Sequence, residues 1–226
     1  MLIGNSPFSP FLLKIKISLH LHVIHILIFH FGSFTLKSGR ISPYFLNTGK
    51  FSTGESLSKI GKYYAKTIES YSHELAYDGI FGPAYKAIPL ISSTVIALSD
   101  VFKKNIPYSF NRKEIKDHGE GGNIVGASLS GKILIIDDVI TAGTSIRESF
   151  EIISKHGAKV SSVLIAVDRQ EKGTGHKSAV QQIESDFGVP VKAIVNLDQI
   201  IEYIEEKGDY DEHLIKMKEY KALYGV

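Results

Sequence analysis

The chain has 226 residues, 43% of them hydrophobic, and a formal net charge of +2. That length suits one domain with an appendage and is ample for a buried core, while so small a charge argues against a nucleic-acid surface. The absence of cysteine excludes a disulfide framework and thiolate chemistry, weighs against a zinc site, and suits a reducing compartment.

Residues 1–30 differ from the rest. They contain no acid, the first acidic residue being Glu55, and they hold His20, His22, His25 and His30. A membrane helix needs about 20 mostly apolar residues, and the histidines interrupt any such run. A signal peptide wants a basic start, and Lys14 and Lys16 come too late. His20 and His22 would share one face of a strand, but an apolar packing segment is the better reading than a metal site.

From Gly32 onward, strand and helix patterns alternate. "RISPYFLNTGKF" predicts an extended hairpin, and Gly54 to Tyr71 predicts a helix with Leu57, Ile60, Tyr64 and Ile68 near the 3.6 period. "YDGIFGP" is a short strand stopped by Gly82-Pro83, Ile88 to Val101 an apolar helix, and "IPYSF" a strand. "FNRKEIKDHGEGG" is polar, basic and glycine-ended, which predicts a loop. Lys132 to Asp137 is a continuous apolar run, as in a strand covered on both faces. Ser145 to His156 predicts a helix with Gly157 just past its end. "KVSSVLIAVDR" and "VPVKAIVN" are further strands, with helices near Leu197 to Glu206 and His213 to Leu223. This order predicts an α/β fold with a central, mostly parallel sheet flanked by helices.

The stretch "ILIIDDVITAGTSI" concentrates the chemistry. Ligands of open parallel sheets bind beyond the carboxyl ends of the strands, and Asp137 and Asp138 stand at such an end. The loop Thr141, Ala142, Gly143, Thr144 and Ser145 then leads into a helix N-terminus. Unpaired N–H groups and the helix dipole favour an anion there. Carboxylates accept hydrogen bonds from sugar hydroxyls or hold Mg²⁺ through water. A phosphate cradle beside paired acids describes a ribose 5-phosphate site; the plainer alternative is a helix cap after an acidic turn. "GASLSGKI" nearly spells a nucleoside-triphosphate loop, but Ile133 replaces the metal-binding hydroxyl and the segment precedes a strand instead of following one. Gly131-Lys132 reads better as a turn.

"ILIIDDVITAGTS" resembles the phosphoribosyl-diphosphate motif of type I phosphoribosyltransferases. "FTLKSGRISPYF", "FGPAYKAIP", "FNRKEIKDHGEGGNIVG" and "AVDRQE" resemble, in that order, segments of the bacterial-type orotate phosphoribosyltransferase family. The resemblance runs from about Phe31 to Val226. It implies the type I fold with a small N-terminal hood, formed from about residues 31–53 plus C-terminal elements, in a phosphoribosyltransferase domain spanning 31–226. Residues 1–30 fall outside it as an atypical apolar segment.

The resemblance also implies a reaction: transfer of the 5-phosphoribosyl group from phosphoribosyl diphosphate to orotate in pyrimidine biosynthesis, with Mg²⁺. It implies a cytoplasmic homodimer with shared active sites, and neither a nucleic-acid nor a membrane partner. Phosphoribosyl diphosphate would be bound by Lys37, Tyr85, Lys86, Arg112, Lys113, Lys116, His118 and the run Asp137, Asp138, Val139, Ile140, Thr141, Ala142, Gly143, Thr144 and Ser145. Orotate would be bound by Lys37, Phe45, Leu46, Thr141 and Arg169. The metal would be held through the substrate diphosphate and water, with Asp137 and Asp138 as candidate ligands. Lys116 and His118 on a lid, and Asp138 on the floor, are the expected catalytic residues. No protein nucleophile stands out, so catalysis would rest on positioning and charge stabilisation. A transferase for another base, such as a purine, would share the ribose site, but "FTLKSGR" and "DRQE" argue against it. A nucleic-acid-binding regulator on the same fold would need a binding module, for which residues 1–30 are too short and too poor in arginine.

Overall fold

The structure, a computed structural model, describes residues 29–36, 38–116, 122–173, 175–208 and 210–226. Its elements are β1 (Phe29–Thr35), β2 (Ile41–Leu46), a 3-10 turn (Thr48–Lys50), α1 (Gly54–Ser70), β3 (Gly79–Gly82), α2 (Ala87–Phe102), β4 (Tyr108–Lys116) and β5 (Gly122–Gly126). There follow β6 (Lys132–Asp137), α3 (Thr144–Lys155), β7 (Lys159–Asp168), α4 (Ala179–Phe187), β8 (Val191–Asn196), α5 (Leu197–Lys207) and α6 (Asp211–Tyr224).

Six strands form one sheet in the order β5-β4-β3-β6-β7-β8, parallel throughout except for the antiparallel β4–β5 edge. The chain builds outward from β3 to β5, then returns to lay β6 on the other side of β3. The strand order therefore reverses between β3 and β6, and a crevice opens beyond their carboxyl ends. Residue alternation explains how the sheet is buried on both faces. Leu134, Ile136, Leu164 and Ala166 enter one core with residues of α1, α2, α5 and α6. Ile133, Ile135, Val163 and Ile165 enter the opposite core with Ile146 and Ile153 of α3 and Ile183 of α4. Helices α1 and α2 approach closely at Gly61, where an added Cβ would lie 2.6 Å from the Ser93 carbonyl.

β1 and β2 form a separate antiparallel hairpin, the hood. It is pinned by aromatic packing: Phe29 stacks on Tyr44 at 5.0 Å, Tyr44 meets the edge of Tyr220 at 6.1 Å, and Phe31 stacks on His213 at 4.5 Å. The C-terminal helix α6 thus seats the N-terminal hood.

Three local differences from the sequence reading have physical causes. The hairpin partner of Ile41–Leu46 is the upstream strand Phe29–Thr35, while Thr48–Lys50 coils into a 3-10 turn. The basic segment read as a loop is largely strand, because β4 continues to Lys116 and pairs back with β5 through Asn111↔Ile124 and Lys116↔Gly122. Helix α4 was not anticipated, although its capping box, Ser178 with Gln181, is spelled in the sequence. The turn at Gly131 is as expected: its φ is +66°, and Lys132 N–H donates to Asp78.

Candidate active site

β6 delivers two acids into the crevice, both buried with 6% exposure. Asp137 Oδ1 accepts the N–H of Asp138 at 2.9 Å, and its Oδ2 accepts the Ser145 hydroxyl at 2.9 Å. Asp138 Oδ1 accepts the Val139 N–H at 2.7 Å; its Oδ2 accepts the Thr48 hydroxyl at 2.5 Å and lies 3.3 Å from Lys86 Nζ. Burial, reinforced by the adjacent Asp138 charge, pushes the Asp137 carboxyl up to about 7. Tyr64 donates to the Asp137 carbonyl at 2.8 Å from inside the core, fixing the strand end from below.

The loop after the acids faces outward. Thr141, Ala142 and Thr144 are exposed, Ser145 is half-buried, and Ile140 and Gly143 are buried beneath. Gly143 takes φ +75°, a left-handed turn at which a Cβ would also come within 3.1 Å of Ile183. No side chain caps the N-terminus of α3, and its first turn has no acid. Its N–H groups are thus placed to receive an anion. Val139 is partly buried against the core.

Around this floor, Lys86 immediately precedes α2 with a side chain 71% exposed, and the neighbouring Ala84-Tyr85 peptide is cis. Tyr85 is exposed, and Lys113 Nζ lies 5.8 Å from its ring centroid. Arg112 is half-buried on β4 and Lys113 exposed. Lys37 and His118 lie outside the described residues, as do residues 1–28; of Lys116 the strand position alone is described.

The base side gathers distant segments. Phe45 is exposed and packs on Phe34 at 5.4 Å, whereas Leu46 points the other way, into the core. Arg169, at the end of β7, lies 4.6 Å above the Tyr44 ring and donates from Nε and Nη2 to Glu171 at 2.9 and 2.6 Å. Glu171 also accepts the Tyr44 and Tyr220 hydroxyls at 2.7 and 3.2 Å. Thr48, Tyr64, Tyr44, Glu171 and Tyr220 were not anticipated as site neighbours. All but Glu171, which follows Arg169 by two residues, are hydroxyls brought in from far along the chain, and only the buried faces of α1 and α6 hint at two of them.

An anion cradle and paired buried acids at the switch point of a doubly covered sheet define a phosphoribosyltransferase of the type I class. Comparison agrees: the phosphoribosyl transferase domain matches residues 52–194. Orotate phosphoribosyltransferase of Pseudoalteromonas translucida is 55% identical over 196 residues, covering 87% of this chain and 91% of that protein. That of Pseudomonas aeruginosa is 51% identical over 199 residues, covering 88% and 92%. The crystal structure of orotate phosphoribosyltransferase from Francisella tularensis superposes with a TM-score of 0.79 at 41% identity, covering 95% of this chain and all of that one. The chain belongs to the orotate phosphoribosyltransferases, enzymes that move a phosphoribosyl group onto orotate in pyrimidine biosynthesis. Among the described residues no helix is long and apolar enough to cross a membrane.

Proposed function

We propose that the 5-phosphoribosyl group passes from phosphoribosyl diphosphate to orotate over the floor formed by Asp137 to Ser145, giving orotidine 5'-phosphate and diphosphate. The observation that carries this reading is the pair of buried carboxylates beside the uncapped N-terminus of α3. The N–H groups of Thr141 to Ser145 and the hydroxyls of Thr141 and Thr144 hold the 5-phosphate, and Asp137 and Asp138 accept from the ribose hydroxyls. Lys86, Tyr85, Arg112 and Lys113, with Lys116 and His118, are assigned to bind the diphosphate. Arg169, Thr141 and Lys37 hold the base, beneath the Phe45-Leu46 segment.

As the bond from C1 to diphosphate lengthens, the ribose becomes cationic and the departing group gains negative charge. The Asp138 carboxylate would stabilise the cationic ribose, and the lysines would meet the leaving group. The ring nitrogen of orotate then bonds to C1 as its proton passes to the departing diphosphate, with no protein nucleophile needed. Orientation and exclusion of water supply the remainder.

Magnesium fits this floor in company with the substrate. Both Asp138 oxygens already accept from the protein, and the described residues contain no cluster of three or more acids or histidines. An ion that keeps its waters and rests on substrate phosphates needs only one or two carboxylates nearby, and Asp137 and Asp138 would serve through water. Bound there, it would offset the charge growing on the diphosphate.

We assign the enzyme to the cytoplasm, as its family resemblance implies, and its working form to a homodimer in which the β4–β5 hairpin of one subunit completes the site of the other. The hairpin's place at the sheet edge, carrying Arg112, Lys113 and Lys116, supports this. The test combines an orotate-consumption assay with subunit mixing. Lys116→Ala and Asp138→Asn proteins, each inactive alone, should regain activity when mixed, because one hybrid site then has an intact lid and an intact floor. No recovery, with hybrid dimers verified by mass spectrometry, would reject the shared site.

A further inference from the structure

Glu171 stands two residues after Arg169, and placing an anion beside the cation meant for an anionic base needs a reason. Both side chains are nearly enclosed, with 13% and 12% exposure. Glu171 Oε1 takes the side edge of the guanidinium, Nε and Nη2 together. The end-on edge is left with only a long contact: Nη2 reaches Ser42 Oγ at 3.4 Å, and Nη1 has no hydrogen bond among the described residues. A planar fork pinned along one edge presents the other to a carboxylate in fixed orientation.

Glu171 is itself braced. Gln170, between the two, adopts a left-handed φ of +51°, with its N–H on Asp168 Oδ1 at 2.9 Å and its side chain engaging Asp198 at the start of α5. The chain end then straps the turn from outside. Lys172 N–H donates to Tyr224 at 2.7 Å, Val226 N–H donates to Gln170 at 3.0 Å, and Glu171 bridges to Gly225. Tyr220 on α6 adds its hydroxyl to Glu171 Oε2.

We propose that Glu171 is a positioning residue for the orotate reaction, holding the side edge of Arg169 so that the end-on edge meets the base's carboxylate, with Tyr220 and the Tyr224–Val226 strap holding Glu171. The inference rests on Arg169 binding the base. Two effects oppose each other when Glu171 is lost. A bare cation attracts an anion more strongly, but an unpinned arginine must be ordered when the base binds. Enclosure of the pair by Tyr44 and Tyr220 favours the second, because preorganisation carries more weight where the fork is already desolvated.

The test uses the full chain, with initial rates measured against each substrate at saturation of the other. Glu171→Ala should raise the orotate KM about tenfold, equivalent to about 1.4 kcal/mol, and leave the phosphoribosyl diphosphate KM within about twofold. Glu171→Gln should recover most of that loss, since its amide oxygen still accepts from Nε and Nη2. Tyr220→Phe should raise the orotate KM by a smaller factor, about threefold. An orotate KM unchanged or lowered in Glu171→Ala overturns the proposal, as does an equal rise in both KM values with no rescue by Glu171→Gln. If Glu171→Ala fails to fold, Tyr220→Phe decides: an orotate-selective rise supports the role, and no change rejects it. Arg169→Ala is measured alongside. An unmoved orotate KM there overturns the base assignment itself, whereas a large rise there with none in Glu171→Ala overturns only the positioning role.

Discussion

The floor and the base side of this site are built in opposite ways. The floor is one uninterrupted piece of chain, Asp137 to Ser145, running from a buried strand through a glycine turn into a helix. The base side is assembled from the hood, the turn after β7 and the C-terminal helix; Tyr44 and Glu171 are 127 residues apart in sequence yet share a hydrogen bond. The floor leaves helix N–H groups uncapped for a ligand, whereas the base side satisfies its charges internally, Arg169 against Glu171. A site that binds phosphate can be spelled locally because backbone N–H groups do the binding. A site that discriminates one flat base needs side chains from several directions.

The largest expected effect tests the floor. Asp137→Asn with Asp138→Asn removes the paired carboxyls that serve the ribose, a hydrogen bond to a charged carboxylate contributing roughly 1.5–3 kcal/mol. Calorimetry should find phosphoribosyl diphosphate affinity reduced about 100-fold or more in a protein that still unfolds cooperatively. Unchanged affinity would remove the ribose from these acids and dissolve the contrast. Arg169→Ala comes next: the orotate KM should rise by about 10- to 100-fold, with the other substrate's KM little altered. Equal effects on both substrates would mean that the two regions are not separable.

Thr48→Val probes the junction, since this hydroxyl crosses from the end of the hood to Asp138. Losing one donor to a buried carboxylate should weaken phosphoribosyl diphosphate binding about fivefold, read from its KM. A shift in the orotate KM instead would assign Thr48 to the base side. The last effect is on stability and not on binding. The Asp137 carboxyl is raised to about 7 in the folded chain, against about 3.9 when unfolded. The folded state therefore binds more protons between those values, and its stability falls as pH rises through that window. Asp137→Asn should lose this contribution, so its melting temperature relative to the parent should be higher at pH 8 than at pH 5. A constant difference across that range would deny the raised carboxyl.

The same contrast governs what was legible in the sequence. β6, with both faces buried, reads as a continuous apolar run, and its expected bounds coincide with those observed. The paired acids and Gly143 are likewise visible because each acts through its neighbours along the chain. The hood was misread because β2 alone does not reveal whether its partner lies before or after it; pairing with Phe29–Thr35 is settled by aromatic packing against α6. Leu46 and Phe45 are adjacent in sequence but occupy opposite faces of β2, so only the latter stays on the surface. Glu171 could be seen as an acid near Arg169, but not as the residue on which two tyrosines from opposite ends of the chain converge.

The strap formed by the last residues also sets an order of events during synthesis. The floor and its two covering cores draw mostly on residues already made once β8 has emerged from the ribosome. The hood, although made early, has no seat until α6 appears, and the turn carrying Arg169 is not tied down until Val226, whose N–H binds Gln170. Domains fold as units, so a nascent molecule of this enzyme would complete its base side only once α6 and the residues through Val226 had been made.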